Sequence, residues 1–229
     1  MATLILLRHA RSAANGSGTL AGRTGGIGLD ETGTGQAGGL LGRLADIPLH
    51  AMVTSPLQRC TDTVAGLAAE RGLTPTPEPR LAEVDYGDWT GRALKELTEE
   101  PLWKVVQQHP SAAVFPGGEG LAQVQARAVA ALREHDARIT AEHGANAVWA
   151  ACSHGDVIKS VLADALGLHL DSFQRIVVEP CSISVVRYTE TRPFVIKTND
   201  TGSDLSGVLP PKDEQESASE AVVGGSTGA

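Results

Sequence analysis

The sequence predicts a three-layer α/β/α sandwich built on a mostly parallel sheet with one antiparallel edge. Three observations carry that prediction. Short apolar runs at residues 3–7, 49–53 and 147–151 each stop abruptly at polar residues, as strands buried on both faces do where they end at a site. Segments with helical spacing of apolar residues lie between them, so strands and helices alternate along the chain. Two β-rich runs, 182–188 and 194–197, flank Thr191-Arg192-Pro193 and read as an antiparallel closing pair.

Each element follows in order. Residues 3–7 form the first strand, and 10–28, carrying Gly, Ser and Arg without a period, read as a loop. Within 32–45, Ala37, Leu40, Leu41 and Leu44 share one helical face, and Pro48 follows before the strand at 49–53. Ser55 then predicts an N-cap with Pro56 at the first helical position, for a helix reaching Glu70. Residues 73–80 alternate Thr and Pro and must be extended, whereas 81–91 are rich in turn formers and acids. Short helices over 93–108 precede Phe115-Pro116-Gly117-Gly118-Glu119, which breaks the chain before a long helix over 121–143. There Gly117-Gly118-Glu119 reads as a break and a charge for the helix start. The third buried strand, 147–151, feeds a helix over 156–166. From about residue 206 Gly, Ser and Glu dominate without periodicity, which predicts a single domain over 1–205 and a disordered tail over 206–229.

Composition bounds the function. The chain has 229 residues, 41% hydrophobic and 20% charged, enough for one substantial core. A collagen, a wholly disordered chain and a small disulfide-stapled scaffold are excluded. Lys and Arg number 19 against 27 acids, a net charge of −8, which argues against nucleic-acid or anionic-membrane partners and requires any anion site to be a local basic pocket. Cys60, Cys152 and Cys181 are odd in number and share no metal-ligand spacing, so they read as buried thiols in a reducing compartment. The opening apolar run is cut at Arg8 and His9, too short for a signal-peptide core, which predicts a soluble, cytoplasmic protein.

Ligands of open parallel sheets bind outside the carboxyl ends of the strands. Three polar clusters sit there: Arg8-His9-Ala10-Arg11-Ser12, Ser55-Pro56-Leu57-Gln58-Arg59 and Ser153-His154-Gly155-Asp156. Together they converge two histidines and two or three arginines, and such a cluster calls for an anion. The guanidinium fork fits phosphate best. A histidine flanked by arginines is kept neutral, leaving one ring nitrogen as a nucleophile while the other donates to a backbone carbonyl; a second histidine can stay protonated against the phosphate.

These residues resemble the histidine phosphatase superfamily, and within it the phosphoglycerate-mutase-like group. Leu6-Leu7-Arg8-His9-Ala10-Arg11-Ser12-Ala13-Ala14-Asn15 is similar to the family's opening motif, and Ser55-Pro56-Leu57-Gln58-Arg59-Cys60-Thr61-Asp62-Thr63 to its second. Leu81, Glu83, Gly87, Trp89 and Gly91 match the acid-bearing motif, Pro116 to Glu119 a Pro-Gly-Gly-Glu, and Ser153-His154-Gly155 the late histidine. The resemblance covers roughly the first 200 residues in the right order. It implies a phosphoglycerate-mutase-like fold in which His9 attacks phosphorus and becomes transiently phosphorylated. Arg8, Arg59 and His154 would hold the transferring group. Ser12, Asn15, Ala21, Gly22 and Gly155 would line the substrate site. Glu83 would protonate the leaving oxygen and then activate water. The partners implied are a small phosphorylated substrate and inorganic phosphate, with no metal or organic cofactor.

Some positions depart from the pattern. Arg11 stands where the family commonly has Glu, and Asn199 is followed by Asp204-Leu205 rather than His-Leu. The short stretch between Gly91 and Pro116 lacks the arginine pair and Pro-rich motif of mutase-type members, which favours a phosphatase over a phosphomutase. Four rival readings remain to be placed. Asp85 is the substitute for Glu83 as the acid. Ala151-Cys152-Ser153-His154-Gly155 imitates a serine-hydrolase turn, with His169 as the only later histidine. A metallohydrolase using His9 and His154 would set arginines against its own cation. A binding protein without chemistry would be expected to lack the nucleophile, the clamp or the acid.

Overall fold

The computed structural model describes residues 2–202; the expected domain end at 205 and the tail expected over 206–229 lie outside them. Among the described residues, β1 (Thr3–Arg8), β2 (Leu49–Thr54), β3 (Thr76–Pro77), β4 (Val148–Ser153), β5 (Ile183–Arg187) and β6 (Phe194–Asp200) form a six-stranded sheet ordered β3-β2-β4-β1-β5-β6. β1, β2, β3 and β4 run parallel. β5 is antiparallel to β1, and β6 to β5, the single antiparallel edge that the sequence predicts. The Thr/Pro-rich stretch supplies β3, and its proline sits on the sheet edge, where a missing backbone donor is tolerated.

Side chains alternate across each strand, and the two faces are covered by different helices. Leu4 and Leu6 of β1, with Trp149 and Ala151 of β4, join the cluster containing α6 (Leu121–His143) and α7 (Gly155–Ala165). Ile5 and Leu7, with Met52, Ala150 and Cys152, join that of α2 (Glu31–Arg43) and α3 (Gln58–Glu70). The short helices expected over 93–108 are α4 (Leu94–Leu97) and α5 (Pro101–Gln108). The long helix begins and ends where its pattern places it.

Two local readings are corrected. Residues 10–28 are not wholly a loop: α1 (Ala13–Ser17) forms there because Ser12 and Asn15 cap each other, Asn15 N donating to Ser12 Oγ at 3.3 Å and Ser12 N to Asn15 Oδ1 at 3.0 Å. At five residues it is too short to show an apolar period. The helix after β2 starts not at Pro56 but at Gln58, with Leu57 as an N-cap that makes no side-chain bond. Ser55 lies ahead of the cap: its Oγ accepts from Leu57 N at 3.3 Å and is 2.8 Å from His154 Nε2.

Candidate active site

Parallel register brings three strand ends to one level. Arg8 pairs with Ser153, and Thr54 with Cys152. The residues that follow, His9, Ser55 and His154, therefore emerge side by side. His9 and His154 have ring centroids 5.1 Å apart, and both are buried with Arg8, Arg59 and Glu83. The five residues expected to carry the chemistry thus lie buried at one end of the sheet.

His9 is fixed at both ends. Its backbone N donates to Ser153 O at 2.9 Å. Its Nδ1 lies 2.7 Å from Ala10 O, a carbonyl that only an N–H can satisfy, so the proton sits on Nδ1 and the lone pair on Nε2. Thr63 steadies the turn, accepting from Ala10 N at 2.9 Å and donating to Arg59 O at 2.6 Å. Burial first, then the charges of Arg59 and Arg8, hold His9 well below the usual imidazole range and keep it neutral.

Arg8 donates from Nη1 to Val178 O at 2.7 Å, and Arg59 from Nη2 to Gly22 O at 2.8 Å. Gly22 therefore touches the site through its carbonyl, and its φ of 50° turns the loop that carries it. Arg59 Nη1 is buried without a hydrogen-bond partner among the described residues, and so is His154 Nδ1. His154 Nε2 is 2.8 Å from Ser55 Oγ, which accepts from Leu57 N at 3.3 Å. The Ser55 hydroxyl proton is thus available to Nε2, leaving Nδ1 as the N–H, 3.8 Å from Glu83 Oε2. Burial and then Arg59, His9 and Arg8 hold His154 well below the imidazole range. The protein groups alone therefore make it neutral, and the protonated form expected from the sequence requires the charge of a bound phosphate. α7 begins at Gly155 beside it, adding the positive end of an eleven-residue helix.

Glu83 is buried, with Oε1 accepting from its neighbour Val84 N at 3.0 Å. Burial and then the charge of Asp156 push its carboxyl up to about 7. Asp85, the alternative acid, is instead half exposed, accepts from Gly87 N at 3.1 Å and faces Arg23. Glu119 does more than mark a helix start. Its carboxylate takes Arg127 at 2.9 Å, Arg23 at 2.8 Å and Asp85 N at 3.1 Å, while Arg23 and Arg127 both donate to Glu83 O. The Pro-Gly-Gly-Glu turn is therefore a brace for the acid's loop. The two backbones approach so closely that a Cβ at Gly118 would lie 2.2 Å from Asp85 O, and one at Gly87 2.0 Å from Pro116 O. Gly118→Ala should cost about 2 kcal/mol or more, read as a lower urea midpoint; unchanged stability would show that the loops part freely.

Ser12 Oγ donates to Asn15 Oδ1 at 2.8 Å within the cap of α1. Arg11 turns toward α2, with Nε 3.5 Å from Asp30 and its backbone N on Gln36. Ser153 Oγ donates to Leu81 O at 2.7 Å, and His169 is exposed and bonded to Asp171, so no serine triad assembles. The sequence reading missed Ser55, Arg23 and Arg127. Ser55 was visible as a capping signal and as part of the second motif but with no role assigned, and the two arginines carried no signal beyond their charge.

These shifts predict a pH dependence of stability. As pH falls through 6.5 the unfolded chain takes up protons on both histidines that the folded chain refuses, whereas Glu83 binds its proton more tightly when folded, between about 7 and 4.5. The net is one proton more on the unfolded chain, so stability falls by about 1.4 kcal/mol per pH unit on acidification. Glu83→Gln removes the opposing proton and should roughly double that slope. Urea titrations between pH 5 and 6.5 read it; equal slopes would show that Glu83 ionises normally.

Known proteins share this architecture and sequence. The family model described as histidine phosphatase superfamily (branch 1) matches residues 4–201. Phosphoserine phosphatase 1 of Hydrogenobacter thermophilus is 31% identical over 204 residues, covering 88% of this chain and 93% of that protein. A Yersinia pestis protein named "Probable phosphoglycerate mutase GpmB" is 29% identical over 193 residues, 83% of this chain and 87% of its own. The solved structure of Bacillus stearothermophilus YhfR superposes with a TM-score of 0.79 at 25% identity, covering 87% of this chain and 98% of that one.

Proposed function

The chain belongs to the histidine phosphatase superfamily, and on that premise we propose that it hydrolyses small phosphomonoesters through a phosphohistidine on His9. One observation carries the reading. Beside a neutral imidazole with its lone pair on Nε2, two buried donors, Arg59 Nη1 and His154 Nδ1, have no hydrogen-bond partner among the described residues. Orphaned donors at that depth are costly, and an anionic group that satisfies both explains them.

In the first half-reaction His9 Nε2 forms a bond to phosphorus as the ester P–O bond breaks. Glu83, held protonated near neutral pH, gives its proton to the leaving oxygen. Arg8, Arg59, His154 and the N-terminal N–H groups of α7 hold the phosphoryl oxygens, whose charge also supports a proton on His154. In the second half-reaction the Glu83 carboxylate takes a proton from water. The water oxygen bonds to phosphorus, the P–N bond breaks, and inorganic phosphate leaves with His9 neutral again. The loop at Ala21 and Gly22 borders the substrate, while Ser12 and Asn15 shape it from beneath through α1. The three cysteines are free, fitting a reducing compartment, and we place the protein in the cytoplasm. Among the described residues no helix is long and apolar enough to cross a membrane.

The relative named a phosphoglycerate mutase supports a second reading, in which a substrate hydroxyl rather than water accepts the phosphoryl group. The two are separated by incubating the protein, without added metal, with phosphoserine, phosphoglycerates and other phosphomonoesters. We expect released phosphate from several esters; isomerised phosphoglycerate without phosphate would establish the mutase, and neither product would refute both.

A further inference from the structure

Residues 178–182, just ahead of β5, lie against the clamp. Val178 O accepts from Arg8 Nη1 at 2.7 Å, Ser182 O accepts from Arg8 N at 3.1 Å, and Cys181 N donates to His9 O at 3.1 Å. This short segment therefore holds Arg8 and His9 at three points, one of them the guanidinium itself. Backbone strain gathers at the same place. Among the described residues, the non-glycine residues with a left-handed φ are Cys181, at 59°, and Asn199, at 50°, and such conformations persist where the surrounding structure demands them. Cys181 is held by Arg43, whose Nη1 donates to its carbonyl at 2.8 Å. Asn199 sits in a β-bulge: Ile183 faces Asp200 and Val185 faces Lys197, so two steps along β5 match three along β6. A bulge re-aims a side chain. Here Asn199 N donates to Ser184 Oγ at 3.1 Å, and Asn199 Oδ1 accepts from Glu179 N at 2.7 Å.

That last bond reaches the clamp through a single peptide. The C=O of Val178 and the N–H of Glu179 belong to one planar unit and, in the trans form, point in opposite directions. Asn199 grips one edge of the plane, and Arg8 is bonded to the other. Hydrogen bonds in such a row polarise one another. Glycine would take the left-handed φ at position 199 without cost, so the backbone alone does not call for the carboxamide. We propose that Asn199 is a positioning residue for the phosphate clamp: through the peptide joining Val178 and Glu179 it fixes the direction in which Arg8 presents its guanidinium beside His9. The proposal rests on the reading of Arg8 as a phosphate-holding group. Asn199→Gly keeps the backbone conformation and deletes the acceptor, whereas Asn199→Asp keeps an acceptor oxygen in a residue that tolerates the left-handed region.

The test joins nitrogen-15 NMR of the Arg8 guanidinium, its resonances assigned by Arg8→Met, to calorimetric titration with inorganic phosphate. In Asn199→Gly the Arg8 Nη protons are expected to exchange with water about tenfold faster, and the phosphate Kd to rise about five- to tenfold. Asn199→Asp should stay within about twofold of wild type in both. On an Arg8→Met background, Asn199→Gly should change the phosphate Kd by less than about twofold, because the group it acts through is gone. A merely structural role would lower the urea midpoint and leave Arg8 exchange and phosphate affinity in place. That result, or equal losses of affinity with and without the Arg8 guanidinium, would overturn the proposal. If Asn199→Gly does not fold, the wild type decides alone: phosphate drawn onto Arg8 must shift the Glu179 amide proton resonance, and an unmoved resonance overturns the link. A wild type that binds no phosphate would count against the clamp itself, while Arg8 exchange, which needs neither phosphate nor turnover, still decides whether Asn199 holds the guanidinium.

Discussion

Replacing His9 with alanine is expected to abolish phosphomonoester hydrolysis, with a loss on the order of 10⁴-fold or more and an unchanged fold. The size follows from the site's construction. Ala10 O holds the imidazole through Nδ1 and Ser153 O holds the backbone N–H, which leaves the Nε2 lone pair in the same buried cluster as Arg59 and His154. The neighbouring hydroxyls are engaged elsewhere, Ser55 Oγ with His154 and Ser153 Oγ with Leu81 O. The measurement is kcat/KM on the best ester found in the panel, with urea unfolding as the control for folding. Activity within tenfold of wild type in a folded His9→Ala protein would rule out the covalent route.

The second large effect belongs to Arg59. Arg59→Ala removes both the bond to Gly22 O and the free Nη1, and should cost 10²- to 10³-fold in kcat, about 3–4 kcal/mol of transition-state stabilisation. Arg59→Lys restores charge without the planar fork and should recover only part of it. A second readout separates electrostatics from packing. Arg59 is, after burial, the largest cause holding both His9 and His154 below the imidazole range. Its removal should raise both histidines toward 6.5, seen as proton uptake on the imidazole NMR resonances. Loss of activity without that rise would place the damage in the Gly22 loop instead.

The sheet and its site were legible because the chemistry sits where the periodicity breaks. Each buried run ended at a polar cluster, and parallel register turns three such endings into one pocket without any further information. His9, Arg8, Arg59, His154 and Glu83 were therefore readable as local signals in the right order. Residues whose role is set by a partner far along the chain were not. Ser55 reads as a helix cap because Ser-Pro before a helix is a good cap, and only the arrival of His154, 99 positions later, gives its hydroxyl a partner in the site. Glu119 reads as a helix-start charge for the same reason, since Arg23 lies 96 positions away. Ser12 and Asn15 show the converse: read as substrate contacts from the motif, they also bond to each other and cap α1, a short helix that no apolar period announces.

The covalent step itself is tested most directly by rapid quench. The protein is mixed with phosphorus-32-labelled ester, quenched in alkali within milliseconds, digested, and the labelled peptide identified. The account predicts an acid-labile, alkali-stable phosphoryl group on His9 that forms no more slowly than phosphate is released and is missing from His9→Ala. Phosphate released at the full steady-state rate with no label on His9 at any time, under conditions that preserve phosphohistidine, would contradict it.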